Sequence, residues 1–318
     1  MKLLVTGATG KVGRALIDKL AGTCDIRALC HNRPLNGADV ECVFGTIADR
    51  DTVRQAMAGV THVVHLATCK ETPDEIMDVA VKGLFWVLEE ARESPTFQRF
   101  VLVGGDAAVG HFVYDHPLPV TETQRHTAYQ GCYALSKVLE EVMLEQYEIA
   151  YGLAGTCLRA PWIMDRDDFR YSLSFGPDQF GGPAWSELLP GDVGDLPEGA
   201  VPLALDAGGA PLQRNFVHVS DLVEAIAIAL EHPAAVGQTF NISMDEPVDY
   251  AVVARYLAAS RGLPAVQVPT PYYSTWLDNT KAKLLLGWRP AYDTARLIDE
   301  AWDHERSPDD PRKVWYPG

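Results

Sequence analysis

The sequence predicts an α/β fold: a doubly wound parallel sheet with a smaller C-terminal α/β lobe. Three observations carry this. Short apolar runs alternate with helical patterns over residues 1–160. The run Leu3-Leu4-Val5-Thr6 passes directly into Gly7-x-x-Gly10-x-x-Gly13, then into a helical stripe of Ala15, Leu16, Ile17 and Leu20. After Arg159 the periodicity breaks down and returns in a different pattern.

The elements follow in order. Strands are expected at Lys2–Thr6, Ile26–Cys30, Val40–Phe44, His62–Ala67, Arg99–Val103 and Gly155–Leu158. Helices are expected at Lys11–Leu20, Asp51–Ala58, Pro73–Glu93 and Gly131–Tyr151. Alternating strands and helices, with strands that read as buried, give a parallel sheet covered on both faces. Right-handed crossovers place ligands at the carboxyl ends of the strands. Residues 161–211 are rich in Gly, Pro and Asp and show little period; loops of this length are usually functional. A strand at Phe216–Val219, a helix at Ser220–Glu231 and a strand at Thr239–Ser243 come next. Helices near Tyr250–Arg261, Asn279–Leu286 and Thr294–His304 follow, with an irregular tail from Ser307 to Gly318. This divides the chain into a dinucleotide-binding Rossmann domain, 1–160, and a mainly substrate-binding lobe, 161–318. Segments near 214–243 return to the first domain.

Composition narrows the function. The chain has 318 residues, 47% of them hydrophobic, and a formal net charge of -16. That charge argues against nucleic-acid and anionic-membrane partners, which need a basic surface. No stretch approaches the roughly 18 apolar residues of a membrane span. A strand that begins at Lys2 leaves no room for a signal peptide. The six cysteines (Cys24, Cys30, Cys42, Cys69, Cys132, Cys157) show no metal-ligand spacing. A reduced, cytoplasmic protein without structural metal is expected.

Two motifs carry the chemistry. A strand, a glycine loop and a helix in this order form a dinucleotide fingerprint. Gly7 permits the tight turn, Gly10 lets the backbone approach a pyrophosphate, and Gly13 permits close packing of helix on strand. Thr9, Lys11 and Val12 complete the loop, and the helix N-terminus offers free N–H groups to an anion. The second strand ends Cys30-His31-Asn32-Arg33. With no acid between Ile26 and Pro34, and with His31 and Arg33 present, the pattern favours NADP; NAD is the alternative. The second motif is Tyr133-Ala-Leu-Ser-Lys137. Residues four apart share a helix face, and an ammonium beside a phenol lowers its pKa, which suits proton transfer to or from a hydroxyl.

These motifs resemble a family. Gly7-x-x-Gly10-x-x-Gly13, His65-Leu66-Ala67, Tyr133-x-x-x-Lys137 and Leu158-Arg159-x-Pro161 occur in sequence. Arg214-Asn-Phe-Val-His-Val-Ser-Asp221, Phe240-Asn241-Ile242 and Lys281-Ala-Lys-x-Leu-Leu-Leu-Gly287-Trp288-Arg289-Pro290 follow. The chain resembles an extended short-chain dehydrogenase/reductase of the NAD-dependent epimerase/dehydratase type. The resemblance implies that Tyr133 is the general acid/base and that Lys137 binds the nicotinamide ribose. It implies that His65, Leu66, Ala67 and Thr68 line the cofactor, that Pro161 lies near the nicotinamide, and that Arg214 meets a substrate diphosphate. His65 could instead be a satisfied core histidine, and Arg214 could pair with an Asp. The Trp288-Arg289-Pro290 turn reads as structural. A homodimer through the helices at 73–93 and 131–151 is also implied, with Val138, Leu139, Val142 and Met143 available for it or for the core.

Three departures from the family pattern stand out. The family's catalytic Ser or Thr position is Gly105, which has no donor, and Asp106 beside it only accepts hydrogen bonds when ionised. A lost donor costs on the order of 2.7–4 kcal/mol of barrier; water, Thr121, Thr123 or the substrate would have to replace it. Trp162 stands where sugar-nucleotide epimerases often carry Asn, which suggests an aromatic wall in the substrate site. Thr46 stands where the family often has Asp, leaving adenine to apolar contacts and the Ile47 backbone. Asp165, Arg166, Arg170, Tyr171, Phe175 and Trp185 are further candidates to line the substrate pocket. The expected function is an NAD(P)-dependent oxidoreductase or epimerase on a sugar-like or small polar substrate, possibly a nucleotide sugar. A non-catalytic dinucleotide-binding regulator or scaffold is the alternative, because of Gly105.

Overall fold

The computed structural model of the chain describes residues 1–35 and 40–307. The irregular tail expected at 307–318 lies, beyond Ser307, outside the described residues. Strands β1 (Lys2–Thr6), β2 (Asp25–Cys30), β3 (Val40–Phe44), β4 (His62–His65), β5 (Arg99–Gly105) and β6 (Gly155–Ala160) lie in one parallel sheet. Its order is β3-β2-β1-β4-β5-β6, and the strand Gln238–Asn241 joins the far edge beside β6. The direction of strand addition reverses between β1 and β4. A crevice opens at such a reversal, at the carboxyl ends of the strands.

Side-chain alternation builds both faces. Leu3, Val5, Val101 and Val103 point to the face covered by the helices Lys11–Leu20, Val219–Glu231 and Thr280–Leu286. Leu4, Phe100 and Leu102 point to the other face, under Arg50–Met57, Gly83–Glu93 and Cys132–Tyr151. The helix expected over Pro73–Glu93 is present, but its turns widen to π geometry at Met77–Lys82. At its end Gly83 lies against Ile47, where a Cβ would come within 2.7 Å of the isoleucine Cγ2.

Three strand ends differ from expectation for clear reasons. β4 stops at His65 because the Leu66 and Ala67 N–H groups donate to the Thr6 hydroxyl at 3.1 and 3.2 Å instead of to a ladder. β6 continues through Arg159 because Glu141, on the Cys132–Tyr151 helix, neutralises that buried guanidinium. Arg159 Nε and Nη2 donate to Glu141 Oε1 and Oε2 at 3.1 and 2.7 Å. β5 extends with it, pairing Gly104 with Arg159 and Gly105 with Ala160.

A second apolar core gathers Met164, Phe169, Trp185, Phe216, Tyr250 and Leu297. Of its short strands the sequence marks only Phe216–His218, which pairs with Trp162–Met164. Val201–Leu205 pairs with Ala265–Pro269, and Gln213–Arg214 with Val248–Asp249, all without a sequence signal. Trp185 is fully enclosed there, its indole N–H on the Ser172 carbonyl, and Phe175 is also buried. Both therefore belong to this core, not to a pocket lining. Asp221 takes the N–H groups of Ala291 and Tyr292, and its carbonyl takes the Trp288 indole, which accounts for the Trp288-Arg289-Pro290 turn as structure. No helix of the described residues is long and apolar enough to cross a membrane.

The Glu141–Arg159 pair is almost fully buried. Removing one partner of such a pair strands the other charge and costs about 3–5 kcal/mol. Glu141→Ala is expected to lose that much in urea unfolding, and a loss below 1 kcal/mol would show the pair to be dispensable.

Candidate active site

The glycine loop forms a bare backbone cradle. A Cβ on Gly7 (φ 64°) would lie 2.7 Å from the Leu66 carbonyl carbon, and one on Gly13 would lie 2.6 Å from Gly7 O. Both clashes are with backbone, which cannot move aside, so glycine is required at both places. The Lys11–Leu20 helix starts at Gly10 with no side-chain cap. Its first N–H groups, from the Lys11–Gly13 turn, are therefore left for an anion. The Lys11 ammonium is engaged elsewhere: it pairs with Asp168 and donates to the Ile163 carbonyl at 3.0 Å.

Thr6, fully buried, is the hub between the two central strands. Its hydroxyl takes two N–H groups from the chain after β4 and meets His65 Nδ1 at 3.2 Å. With two donors already on that oxygen, its proton points to Nδ1, which places the imidazole proton on Nε2. Burial, with Lys137 nearby, pulls His65 down to about 3, so the ring stays neutral. Nε2 is buried and has no hydrogen-bond partner among the described residues.

The Cys132–Tyr151 helix carries Tyr133 and Lys137 on its first turns. Its N-terminus is docked by Glu71, from the loop after β4. The Glu71 carboxylate accepts from Cys132 N at 2.8 Å, Tyr133 N at 3.2 Å and Cys132 Sγ at 3.0 Å. Gly131 (φ 130°) makes room, since a Cβ there would be 2.5 Å from Glu71 Oε1. The Lys137 Nζ lies 5.6 Å from the centre of the Tyr133 ring, and Lys70 Nζ lies 5.7 Å from it. Lys137 also donates to the buried Glu140 at 2.8 Å. Burial opposes the Lys137 charge, but Glu140 and the phenol outweigh it and hold the ammonium above its ordinary range. Burial, together with Lys137 and Lys11, pulls Lys70 down to about 7.

The expected lowering of the Tyr133 pKa is reversed. Burial pushes the phenol up; Lys137 pulls it down; Glu140, Asp106 and Glu71 add to the upward push. The spacing of Tyr and Lys does bring their charges together, but burial and three carboxylates outweigh one ammonium.

At Gly105 the backbone is extended, with φ -153°. A Cβ would meet Ala160 O at 3.7 Å and Lys137 Cδ at 3.9 Å, which is ordinary contact. Nothing steric demands glycine here. Asp106 is buried and its Oδ2 lies 2.5 Å from His111 Nδ1. The other His111 nitrogen lies 3.4 Å from Arg214 Nη2. Since Arg only donates, the geometry fits a neutral imidazole that accepts from Arg214 and donates to Asp106. His111 has φ 50°, a left-handed conformation costing about 1–2 kcal/mol in a non-glycine residue.

Arg214 is almost wholly enclosed. It donates to Gly182 O at 3.2 Å and lies over Phe112 at 4.2 Å and Trp162 at 4.7 Å. Trp162 in turn stacks on Phe180 and Phe216. Trp162 and Arg214 thus lie together, and the guanidinium is boxed by aromatic rings. Thr121 and Thr123 are exposed and bond to each other at 2.9 Å. His31 and Arg33, after β2, are exposed; Ile47 and Pro161 are buried; Thr9, Val12, Leu66 and Ala67 are half-buried; Thr68 is exposed. Sequence reasoning missed Glu71, Lys70, Glu140 and His111. Only Glu140 had a signal, three residues after Lys137.

The profile of the NAD dependent epimerase/dehydratase family matches residues 3–243. The chain belongs to this family. Among curated relatives, a uronate dehydrogenase of Pseudomonas putida is 26% identical over 163 residues, 50% of this chain and 59% of its own length. The chain thus spans less than two thirds of that relative. An L-arabinose 1-dehydrogenase (NAD(P)(+)) of Haloferax volcanii is 26% identical, over 69% of this chain and 89% of its own length. A UDP-glucose 4-epimerase of Erwinia amylovora is 24% identical, over 95% and 97%. Among solved structures, a short-chain dehydrogenase/reductase superfamily protein of Agrobacterium tumefaciens, with bound NAD, superposes with TM-score 0.82 at 28% identity, covering 95% of this chain and 96% of that one.

Glu71 satisfies first-turn N–H groups as a capping side chain does, and losing a cap costs about 1 kcal/mol. Glu71→Ala is expected to lower stability by about that amount in urea unfolding. No change would mean that water replaces the carboxylate without cost.

Proposed function

We propose that this family member is an NAD(P)-dependent oxidoreductase or epimerase acting at a hydroxyl or carbonyl carbon of a sugar-like or small polar substrate. The observation that carries the reading is the placement of Tyr133 and Lys137. Their helix packs against β5 and β6, and a Cβ at Gly105 would lie 3.9 Å from Lys137 Cδ. The bare cradle and the unpartnered His65 Nε2 fit a dinucleotide in the crevice between β1 and β4. When bound, such a dinucleotide supplies or accepts a hydride. Gly7, Gly10 and Gly13, with the N–H groups of the helix start, would hold its phosphates. Leu66, Ala67 and Thr68 would lie along it, with Ile47 near the adenine and Pro161 near the nicotinamide. Tyr133 would carry the proton, and Lys137 would bind the ribose.

Residues 161–318 would supply most of the substrate site, with Asp106, Trp162 and Arg214 around it. The closed aromatic box around Arg214 argues against a diphosphate and favours a small sugar or sugar acid. The names of the uronate and arabinose dehydrogenases point the same way. The exposed His31 and Arg33 favour NADP, with NAD the alternative. Exposed Phe85, Leu135 and Ile149 on the two long helices support a homodimer. Gly105 favours one second reading, a dinucleotide-binding regulator without turnover.

Two experiments test this. Across a panel of sugars, sugar acids and simple carbonyls, Tyr133→Phe should lower kcat by about 10²-fold or more. Gly105→Ser fits sterically and should raise kcat, by up to about 10²–10³-fold if the missing donor limits the rate. A panel flat for the wild type and both variants leaves the regulator reading. Separately, Arg33→Ala should raise the KM for NADP about tenfold, equivalent to about 1.4 kcal/mol, with little effect on NAD. Equal effects on both would remove the NADP preference.

A further inference from the structure

Gly105 leaves the reacting oxygen without a hydroxyl donor from β5, and the other hydroxyls nearby differ in whether they are free to replace it. Thr121 and Thr123 bond to each other on the surface. Ser136 is fully buried and donates to the Tyr133 carbonyl of its own helix at 2.8 Å. Tyr114 donates to the Ala128 carbonyl at 3.4 Å, and Thr127 to the Arg125 carbonyl at 3.1 Å. Tyr129 differs from all of these. Its hydroxyl makes no hydrogen bond among the described residues, and its side chain is half-buried.

The backbone on either side fixes where Tyr129 lies. Two residues before it, the Thr127 N–H donates to the Ala108 carbonyl at 2.9 Å. Ala108 belongs to the tight turn Asp106–Val109 that follows Gly105 directly. Three residues after Tyr129, the Cys132 N–H is held by Glu71 from the loop after β4. Two or three residues of chain span at most about 7–11 Å. Tyr129 is therefore confined between the end of β5 and the loop after β4. The groups that its phenol faces belong to the same place: Tyr133, Asp106 and Glu71. Burial pushes the phenol up, and these three add to the push. The hydroxyl thus keeps its proton at neutral pH and is available as a donor.

We propose that Tyr129 is a catalytic residue that takes the place of the missing donor, its hydroxyl giving a hydrogen bond to the oxygen on the reacting carbon while Tyr133 handles the proton. This rests on the reading of Tyr133 as the proton carrier.

The step balances without consuming Tyr129. In reduction the carbonyl carbon takes the hydride that a reduced nicotinamide supplies, the carbonyl π pair moves to oxygen, and that oxygen takes the Tyr133 proton, which water replaces. Tyr129 keeps its own proton throughout and stabilises the negative charge that develops on the oxygen. A donor of this kind gains strength as that charge grows, so it acts on the transition state more than on the bound substrate. Its loss should fall on kcat more than on KM.

The test uses the full chain with a panel of sugars, sugar acids and simple carbonyls that includes D-glucuronate and L-arabinose. Tyr129→Phe should lower kcat by about 10²-fold, as removal of one oxyanion donor does, and change KM by less than about threefold. It removes no hydrogen bond of the fold, so its urea midpoint should match the wild type. Calorimetric binding of the same compounds to the cofactor-free protein should also stay within about threefold, since the ground state gains little from this donor. Gly105→Ser should raise kcat by a factor about tenfold larger in Tyr129→Phe than in the wild type, because a new serine matters most where the phenol is gone. A structural role for Tyr129 gives no such coupling between the two positions. An active wild type whose Tyr129→Phe variant keeps its kcat, or loses binding in step with kcat, overturns this proposal and leaves the oxidoreductase reading standing. Equal effects of Gly105→Ser in both backgrounds overturn it as well. A wild type that neither binds nor turns over any compound sinks the oxidoreductase reading, and the proposal falls with it.

Discussion

The Cys132–Tyr151 helix is held to the sheet by charge on its buried face, and most of the site depends on that attachment. Glu141 accepts from Nε and Nη2 of Arg159 and pairs with a nitrogen of His126. Burial pushes the Glu141 carboxyl up, but these bonds overcome it and hold it below its usual range. Each charge is expensive to bury alone and tolerable only in register with the other. The pair therefore sets the rotation of the helix about its axis and its height along β6. With rotation and height set, Lys137 must come against the end of β5, and Tyr133 must lie one turn nearer the crevice. Glu71 fixes the free end.

The crevice follows from a different constraint. Reversal of strand order between β1 and β4 leaves no helix over their carboxyl ends. Thr6 closes the floor by taking the N–H groups of Leu66 and Ala67, and the glycine loop passes so near that chain that no Cβ fits at Gly7. Backbone thus forms one wall and the charged helix the other. Between them, the chain Asp106–His111–Arg214 runs from the end of β5 to the aromatic box of the C-terminal lobe. Lys11 and Asp168 form a second bridge between the glycine loop and that lobe. The two sides of the crevice are joined by polar contacts at both places.

Much of this was legible in residue order. The central strands and long helices follow from alternation and helical period, because burial on a sheet face or a helix stripe imposes those periods directly. The glycine loop was legible because its three glycines fall directly between a strand and a helix, and at two of them, Gly7 and Gly13, there is no room for a Cβ. The C-terminal lobe was less so. Apart from Phe216–His218, its strands are two to five residues long and pair with segments far along the chain, so no local period marks them. Trp185 and Phe175 read as pocket residues for the same reason: an aromatic in an aperiodic segment does not reveal whether it faces a core or a cleft.

By itself, the sequence determined the α/β class, the parallel sheet, the glycine loop and the family, since each rests on spacing along one stretch of chain. The tertiary structure alone decided the electrostatic character of the Tyr133–Lys137 pair. A Tyr and a Lys four residues apart must share a helix face, but whether the phenol gains or loses its proton depends on every charge and every buried surface around it. Those come from the loop after β4, from the end of β5 and from Glu140 on the inner side of the helix. A potential sums over neighbours in space, and neighbours in space are what residue order leaves open.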